Sequence, residues 1–424
     1  MTADRTLVVA DDLTGAMDTG HSFAGRGYET VVRLDSDFDD PEAAVIVVDT
    51  DSRYAAADEA ASRVRSVVES TDAAVVYKKV DSTLRGNLGV EIAAAHDAMD
   101  ADATAVAPAH PTNDRLTACG YHLVGGELLT DTEVGSDPDS GIGTAHVPRL
   151  VREQIGGPVA HAGIERVSGR SIGEALLPPD DVEPHDRHIV VFDIVHDSHL
   201  DAVAAGAHGY DGDVLLVGSA GLAEHVRCPG EPTAESPSVA ADPSGVAFGV
   251  AGSVNPRTLT QLGAVPENQV VRLDARTAVS APDDAARNAA VECLERLATE
   301  PTVVLTAARD GDTVAATLET ARRENVSGRD ARERVTAALG IAAETVWEGR
   351  DPDGLFLTGG SVAKSVLDRL DADGVALGGE EIDVGVPVGE VRGGEADGTP
   401  IVTKAGAFGG NSTIVDALDR LRRV

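Results

Sequence analysis

RTLVVADDLTGAMDTG, residues 5–20, sets the pattern for the whole chain. Residues 6–10 form a β-branched and small apolar run of buried-strand length. Asp11 and Asp12 follow at its end, and Thr14 and Gly15 open a helix-like segment. The same succession returns at residues 44–48, 74–77 and 104–107, and later at 188–195 and 213–217. It restarts at residues 246–251, 270–273, 302–306 and 355–358. Short apolar strands alternating with helices build mostly parallel sheets buried on both faces, with ligands at the carboxyl ends of the strands. The expected fold class is therefore α/β: two Rossmann-like lobes with mostly parallel sheets around a central cleft. Residues 121–129, YHLVGGELL, interrupt the pattern as a hairpin around Gly125 and Gly126, followed by a loop.

Residues 228–244, CPGEPTAESPSVAADPS, have the composition of a linker. The domains are accordingly placed at 1–227 and 245–424, on either side of it. A chain of 424 residues is long enough for two cores. Aromatic residues make up only 3%, so Val, Ala, Leu and Ile must fill those cores.

The net charge of -36 is spread along the chain. Such a surface belongs to a salt-accumulating, halophilic cytoplasm, where screening relieves self-repulsion. It excludes a nucleic-acid footprint, which needs a basic face. No apolar run is long enough to span a membrane, and the three scattered cysteines form no disulfide framework. The expected setting is cytoplasmic, with a small-molecule substrate and a homodimer as an admissible assembly.

Lysine occurs only at Lys78, Lys79, Lys364 and Lys404, each within or beside a glycine- or aspartate-containing motif. An ammonium is a compact charge suited to phosphate, so these survivors mark candidate sites. YKKVDSTLRGN, residues 77–87, places two lysines, Asp81, two hydroxyls and Arg85 directly after a strand. Arg85 can hold a carboxylate bidentately, and this basic island suits an acid substrate; a capping Ser82 and a solvated Arg85 are the plain structural alternative. At the N-terminal strand end, Asp11 and Asp12 can bind substrate hydroxyls or accept a proton. Thr14 as a helix N-cap, with Asp12 complementing the dipole, accounts for the same residues without function. His110 and Arg115 lie within reach of the same crevice, although His110 before Pro111 also reads as a turn residue.

In the second half, VAGSVNPRTLTQL (250–262) and LFLTGGSVAKS (355–365) each combine a strand, a small-residue turn and a helix. IVTKAGAFGG (401–410) adds a glycine-rich loop bearing Lys404. Backbone N–H groups at such turns cradle phosphate, and tight αβ packing also selects small residues there. Neither GxxxxGK[ST] nor GxGxxG occurs, and no histidine spacing forms a metal motif, so no dedicated protein metal site is expected.

The ordered set DDLTGA (11–16), KKVDSTLRGN (78–87), PTNDRLTACGYHLVGG (111–126), TDTEVGSDP (130–138), GSAGLA (218–223), AGSVNPRT (251–258), LTGGS (357–361) and TKAGAFG (403–409) resembles the four-carbon acid-sugar kinase family. The resemblance runs from about residue 5 to 412 and has a divergent, haloarchaeal character. It implies an N-terminal sugar-acid domain and a C-terminal nucleotide domain. The implied reaction is ATP-dependent phosphorylation of the terminal hydroxyl of threonate, erythronate or a 3-oxo-tetronate, with Mg2+. On this resemblance Asp11, Asp12, Lys79, Asp81, Ser82 and Arg85 line the substrate site, with Asp12, Lys79 and Arg85 as catalytic candidates. Ser253, Gly359, Gly360, Ser361, Val362, Lys404 and Gly406 line the ATP site. The chain departs from the family where GGET-like sequence is replaced by Gly359 to Val362, where KSGNFG-like sequence is replaced by Lys404 to Gly409, and in the run Asn113 to Thr117. Two other readings stay open: a sugar-acid oxidoreductase with a variant dinucleotide site, and a non-catalytic sensor of sugar acid or nucleotide.

Overall fold

The computed structural model describes residues 5–34, 43–136, 142–178, 187–232 and 245–422. Most of the linker expected at 228–244, and residues 137 and 138 of the TDTEVGSDP stretch, lie outside the described residues. The chain divides into two units, Met1–Thr30 with Pro41–Thr233, and Val31–Asp40 with Ala234–Val424.

Strands of the first half are, in order, β1 (Thr6–Ala10), β2 (Thr30–Arg33), β3 (Val45–Asp49), β4 (Val75–Lys79) and β5 (Ala103–Ala107). They continue with β6 (Arg115–Ala118), β7 (Tyr121–Val124), β8 (Glu127–Leu128), β9 (Ala160–Ala162), β10 (Ile189–Phe192) and β11 (Val214–Gly218). The first unit has a parallel sheet in the order β3-β1-β4-β11-β5-β10-β9. Its strands are runs such as TLVVA, ATAVA and IVVF, buried along their whole length, because helices cover both faces of a parallel sheet. A second sheet pairs β6, β7 and β8 antiparallel. Gly125 (φ 60°) and Gly126 (φ 84°) form its two-residue turn, a left-handed conformation that glycine adopts without strain. The hairpin expected there is present.

The second half contributes β12 (Ala247–Ala251), β13 (Val270–Arg272), β14 (Thr302–Thr306), β15 (Gly354–Thr358), β16 (Gly374–Asp383), β17 (Val386–Arg392) and β18 (Pro400–Lys404). The second unit's sheet runs β13-β14-β12-β15-β18-β17-β16, parallel from β13 to β18 and antiparallel through β17 and β16. From Val31 onward β2 groups with this unit, next to β16, and Leu34 N donates to Asp373 O (2.9 Å). Its core gathers Phe356, Val402, Ile414, Leu418 and Leu421 between the sheet and the helix Thr413–Leu421. The α/β class with mostly parallel sheets is as expected; the antiparallel β16–β17 pair was not foreseen.

Candidate active site

In an open parallel sheet, ligands bind outside the carboxyl ends of two neighbouring strands whose connections leave in opposite directions. In the first unit those strands are β1, which leads toward β3, and β4, which leads toward β5 on the other side. Asp11 and Asp12 follow β1, and Lys79 and Asp81 mark the end of β4.

Arg53, on the turn after β3, joins the two aspartates. Its Nε and Nη2 donate to Asp11 Oδ2 (2.7 Å) and Oδ1 (2.9 Å), while Nη1 and Nη2 donate to Asp12 Oδ2 (2.7 Å) and Oδ1 (2.6 Å). Gly86 (φ 89°) holds this arrangement closed, since a Cβ there would stand 2.6 Å from Arg53 O. Burial opposes ionisation of Asp11, but Arg53, then Lys79 and Lys78, outweigh it and hold the carboxyl below its usual range. Asp12 is also the N-cap of the helix Leu13–Ala24, accepting from Gly15 N (2.9 Å). Thr14 donates to Asp12 Oδ2 (3.0 Å), so the cap falls on Asp12 rather than on Thr14.

Arg85 pairs with Asp81 through Nε (2.6 Å) and Nη2 (3.0 Å), and Thr83 Oγ1 donates to the same carboxylate (2.5 Å). Burial raises the Asp81 carboxyl, yet Arg85 and Arg53 together hold it well below the ordinary value. His122 Nε2 donates to Ser82 O (2.9 Å) and its Nδ1 lies 3.0 Å from Thr117 Oγ1, which fixes the turn bearing Ser82. Burial pushes His122 down to about 4. Arg115 lies near enough to Asp81 and Arg85 to feel both charges. Its Nη1 donates to Asn113 O, and its buried Nε has no hydrogen-bond partner.

The two adjacent lysines behave differently. Lys78 is fully buried, with Nζ 2.8 Å from Glu91 Oε2 and donating to Lys79 O (2.7 Å). Lys79 is 5% exposed, and its Nζ makes no hydrogen bond or ion pair among the described residues. It lies over the first turn of the helix Leu13–Ala24: a Cβ at Gly15 would be 2.8 Å from Nζ and 2.7 Å from Asp12 Oδ1. Asp11, Asp12 and Asp81 are thus balanced by Arg53, Arg85 and Lys79, and Asp114 offsets Arg115, so basic groups match acidic ones here in a chain of net charge -36.

In the second unit β12 leads toward β13 and β15 toward β18, so the corresponding crevice lies outside β12 and β15. Three small-residue turns meet there. A Cβ at Gly359 (φ 96°) would be 3.0 Å from Ser253 N; one at Gly406 would be 2.4 Å from Ser253 Oγ; one at Gly252 would be 2.2 Å from Val362 Cγ2. Gly360 and Ser361 open the helix Gly360–Arg369 beside them, Ser361 exposed and Val362 buried against Gly252. Thr358 Oγ1 is buried beneath without a partner. Such a floor of close backbone at the start of a helix fits phosphate. Lys404 is buried beneath the loop and donates to Ala405 O (2.9 Å), Gly406 O (3.2 Å) and Thr258 Oγ1 (3.1 Å). Burial, assisted by Arg257, lowers it to about 8.

A family model for a sugar-binding N-terminal domain matches residues 6–226, and one for a nucleotide-binding C-terminal domain matches residues 248–414. D-threonate kinase of Salmonella typhimurium is 33% identical over 98% of this chain and 97% of its own length. The chain belongs to the four-carbon acid-sugar kinase family. D-erythronate kinase of Heliobacterium modesticaldum is 30% identical over 98% of this chain and 97% of its own. 3-Oxo-tetronate kinase of Methylobacterium radiotolerans is 30% identical over 97% and 98%. A solved structure from Salmonella typhimurium LT2, described as a putative tRNA synthase, shares the fold with a TM-score of 0.78 and 22% identity over 98% of both chains.

This kinase is an ATP-dependent phosphotransferase. The first unit brings Asp11, Asp12, Lys79, Asp81, Ser82 and Arg85 to one strand-end crevice; the second brings Ser253, Gly359, Gly360, Ser361 and Gly406 to another. Val362 contributes packing, and Lys404 ties down its own loop. Arg53 escaped sequence reasoning; its one available signal was a basic residue just past a buried strand in a chain rich in acid. Asp197, Glu224 and His225 form the one group among the described residues whose ligating atoms lie within 4.8 Å of one another, and His110 Nε2 is 3.9 Å from Glu224. No helix among the described residues is long and apolar enough to cross a membrane.

Proposed function

We propose that this kinase transfers the γ-phosphoryl group of ATP to the terminal, 4-hydroxyl of a four-carbon acid sugar of the threonate, erythronate or 3-oxo-tetronate class. The acid sugar occupies the β1/β4 crevice and the nucleotide phosphates lie on the glycine turns after β12, β15 and β18. The observation that carries this reading is Lys79: its side chain is buried, and no hydrogen bond or ion pair among the described residues neutralises the Nζ, which is left to meet an anion in the crevice.

Arg85 uses Nε and Nη2 on Asp81, and Nη1 remains for the substrate carboxylate. Asp12, oriented by Arg53 and by the helix cap, takes the proton from the terminal hydroxyl as the new O–P bond forms. The bond between the γ-phosphorus and the β-γ bridging oxygen breaks, and ADP leaves with the electron pair. Lys79 faces the negative charge on the transferred group, the kind of electrostatic stabilisation on which phosphoryl transfer depends. Mg2+ would neutralise the nucleotide phosphates when bound; the glycine turns offer N–H groups and the hydroxyls of Ser253 and Ser361, and the Asp383 carboxylate beside the last turn already accepts from Gly410 N (2.7 Å) and Thr413 Oγ1 (2.8 Å), which leaves phosphates and water as its main ligands.

Steady-state kinetics of Lys79→Met test the reading. The expected result is a fall in kcat of about 10²–10³-fold, the size seen when one oxyanion-stabilising donor is removed, with the KM for ATP unchanged. Normal turnover would remove Lys79 from the site.

A further inference from the structure

The strand order β11-β5-β10 in the first unit sets three turns side by side at the carboxyl ends of those strands. His110 lies on the turn after β5, and Asp197 opens the helix Asp197–His208 after β10. Glu224 and His225 follow the short helix Ala220–Ala223 after β11. The expectation of no dedicated metal site rested on spacing along the chain, which does not register residues that only the sheet brings together.

Asp197, Glu224 and His225 place ligating atoms within 4.8 Å of one another. His225 Nε2 stands 3.4 Å from each oxygen of Asp197. That is longer than the usual N–H···O contact of about 2.7–3.2 Å. Two donors held by one tetrahedral Zn2+ at about 2.0–2.2 Å lie roughly 3.3–3.5 Å apart. The spacing thus suits a shared cation better than a hydrogen bond.

Exposed carboxylates gather without an ion, and the side chains of Asp197 and Glu224 are 47% and 48% exposed. His110 is the independent observation that points to a ligand. Its side chain is nine-tenths buried, and its Nε2 faces Glu224 Oε1 at 3.9 Å, too far for a hydrogen bond. Among the described residues that nitrogen makes no hydrogen bond, a costly state for a buried polar atom. The ring is also fixed in place. A Cβ at Gly221 would be 2.9 Å from its Cδ2, and the Asn113 side-chain amide meets its Nδ1 at 3.1 Å. With that amide turned, its oxygen accepts a proton on Nδ1 and leaves the Nε2 lone pair for a cation, the usual support for a metal-binding imidazole. Closing the gap to tetrahedral spacing takes a shift of about half an ångström, which the exposed Glu224 side chain supplies.

We propose that His110, Asp197, Glu224 and His225 form a site for one divalent transition cation of the zinc type. Two imidazole nitrogens beside two carboxylates select against Mg2+ and Ca2+, which favour all-oxygen sets. The cation would staple the turns after β5, β10 and β11. His110 N donates to Arg115 O (2.9 Å) and Arg115 N to His110 O (3.1 Å), so the staple also steadies the strand that carries Arg115 toward Asp81 and Arg85. Its role is structural, and the proposal does not rest on the phosphoryl-transfer reading.

Titration calorimetry tests it, with Zn2+ added to the chelator-stripped full chain in molar KCl and excess Mg2+ to suppress diffuse binding by carboxylates. The expected result is one Zn2+ per chain with a Kd of about 10 μM or tighter. Glu224→Gln and His225→Gln should each weaken binding at least about tenfold, and Zn2+ should raise the melting temperature of the wild type but not of the double variant. Glu224 is exposed, so its variant decides the matter alone should His225→Gln unfold. No saturable zinc binding in the wild type, or the same affinity in the variants, would overturn the proposal, the latter by placing the ion on other side chains.

Discussion

Lys78 and Lys79 are neighbours with opposite fates. Lys78 is neutralised inside the first unit by Glu91, a pair exposed 0% and 2% at their side chains. Removing one partner of such a pair leaves an uncompensated buried charge, so Glu91→Gln is expected to destabilise the protein by about 3–5 kcal/mol in denaturant unfolding. A loss under 1 kcal/mol would mean that solvent reaches Lys78. Asp12 is the proposed proton acceptor instead: Asp12→Asn is expected to lower kcat by about 10²–10⁴-fold with ATP affinity retained. A variant with native turnover would take Asp12 out of proton transfer. At this scale the sequence was informative where charged residues cluster, as in KKVDSTLRGN, and silent about Arg53. That residue gains its role only when β3 and β1 pair in parallel and bring the turn after one strand over the carboxylates after the other. Nothing local to DTDSR records that pairing.

Strands buried on both faces announce themselves, because unbroken runs such as TLVVA, VLLVG and TVVLT have no other stable place. The antiparallel pair β16–β17 does not. GVALGGEEID carries three glycines and three acids, and VPVGEVR has an internal proline, which weakens both propensity and alternation. The assignment of β2 from Val31 onward to the second unit was equally hidden, since it depends on a partner strand more than three hundred residues away. The glycine turns were legible as a group and their closeness was not: Gly406 stands against Ser253 because β12, β15 and β18 are consecutive in the sheet. A Cβ there would be 2.4 Å from Ser253 Oγ. Gly406→Val is therefore expected to raise the KM for ATP by about tenfold or more while leaving the KM for the acid sugar unchanged. Equal effects on both substrates would show that the turn supports the whole protein rather than the nucleotide.

For the whole molecule, charge and protonation set the working conditions. The net charge of -36 makes the folded chain repel itself. Raising KCl from about 0.1 M to 1 M shortens the screening length from about 10 Å to 3 Å, so the melting temperature is expected to climb over that range. A flat response would show that the acidic surface is not a source of instability. Acid acts through buried imidazoles. His110 and His122 are pushed by burial from 6.5 to about 4, so on acidification the unfolded chain takes up protons first. Their contribution is intact above about pH 6.5 and declines toward pH 4, by up to about 1.4 kcal/mol per pH unit for each group. Asp11 and Asp81, held low by their arginines, extend the loss at still lower pH. His122→Gln is expected to reduce the slope of stability against pH between 6.5 and 4; an unaltered slope would place the titration elsewhere.

In the proposed reaction the β1/β4 crevice presents a four-carbon acid sugar for phosphorylation. The most direct measurement is ATP-dependent turnover across purified tetronates and 3-oxo-tetronates, with Mg2+ in molar KCl and products resolved by mass and phosphorus NMR. The expected result is one preferred acid carrying a new phosphate at O4, and loss of that product in Lys79→Met. Folded, ADP-binding protein that phosphorylates none of these acids would contradict it.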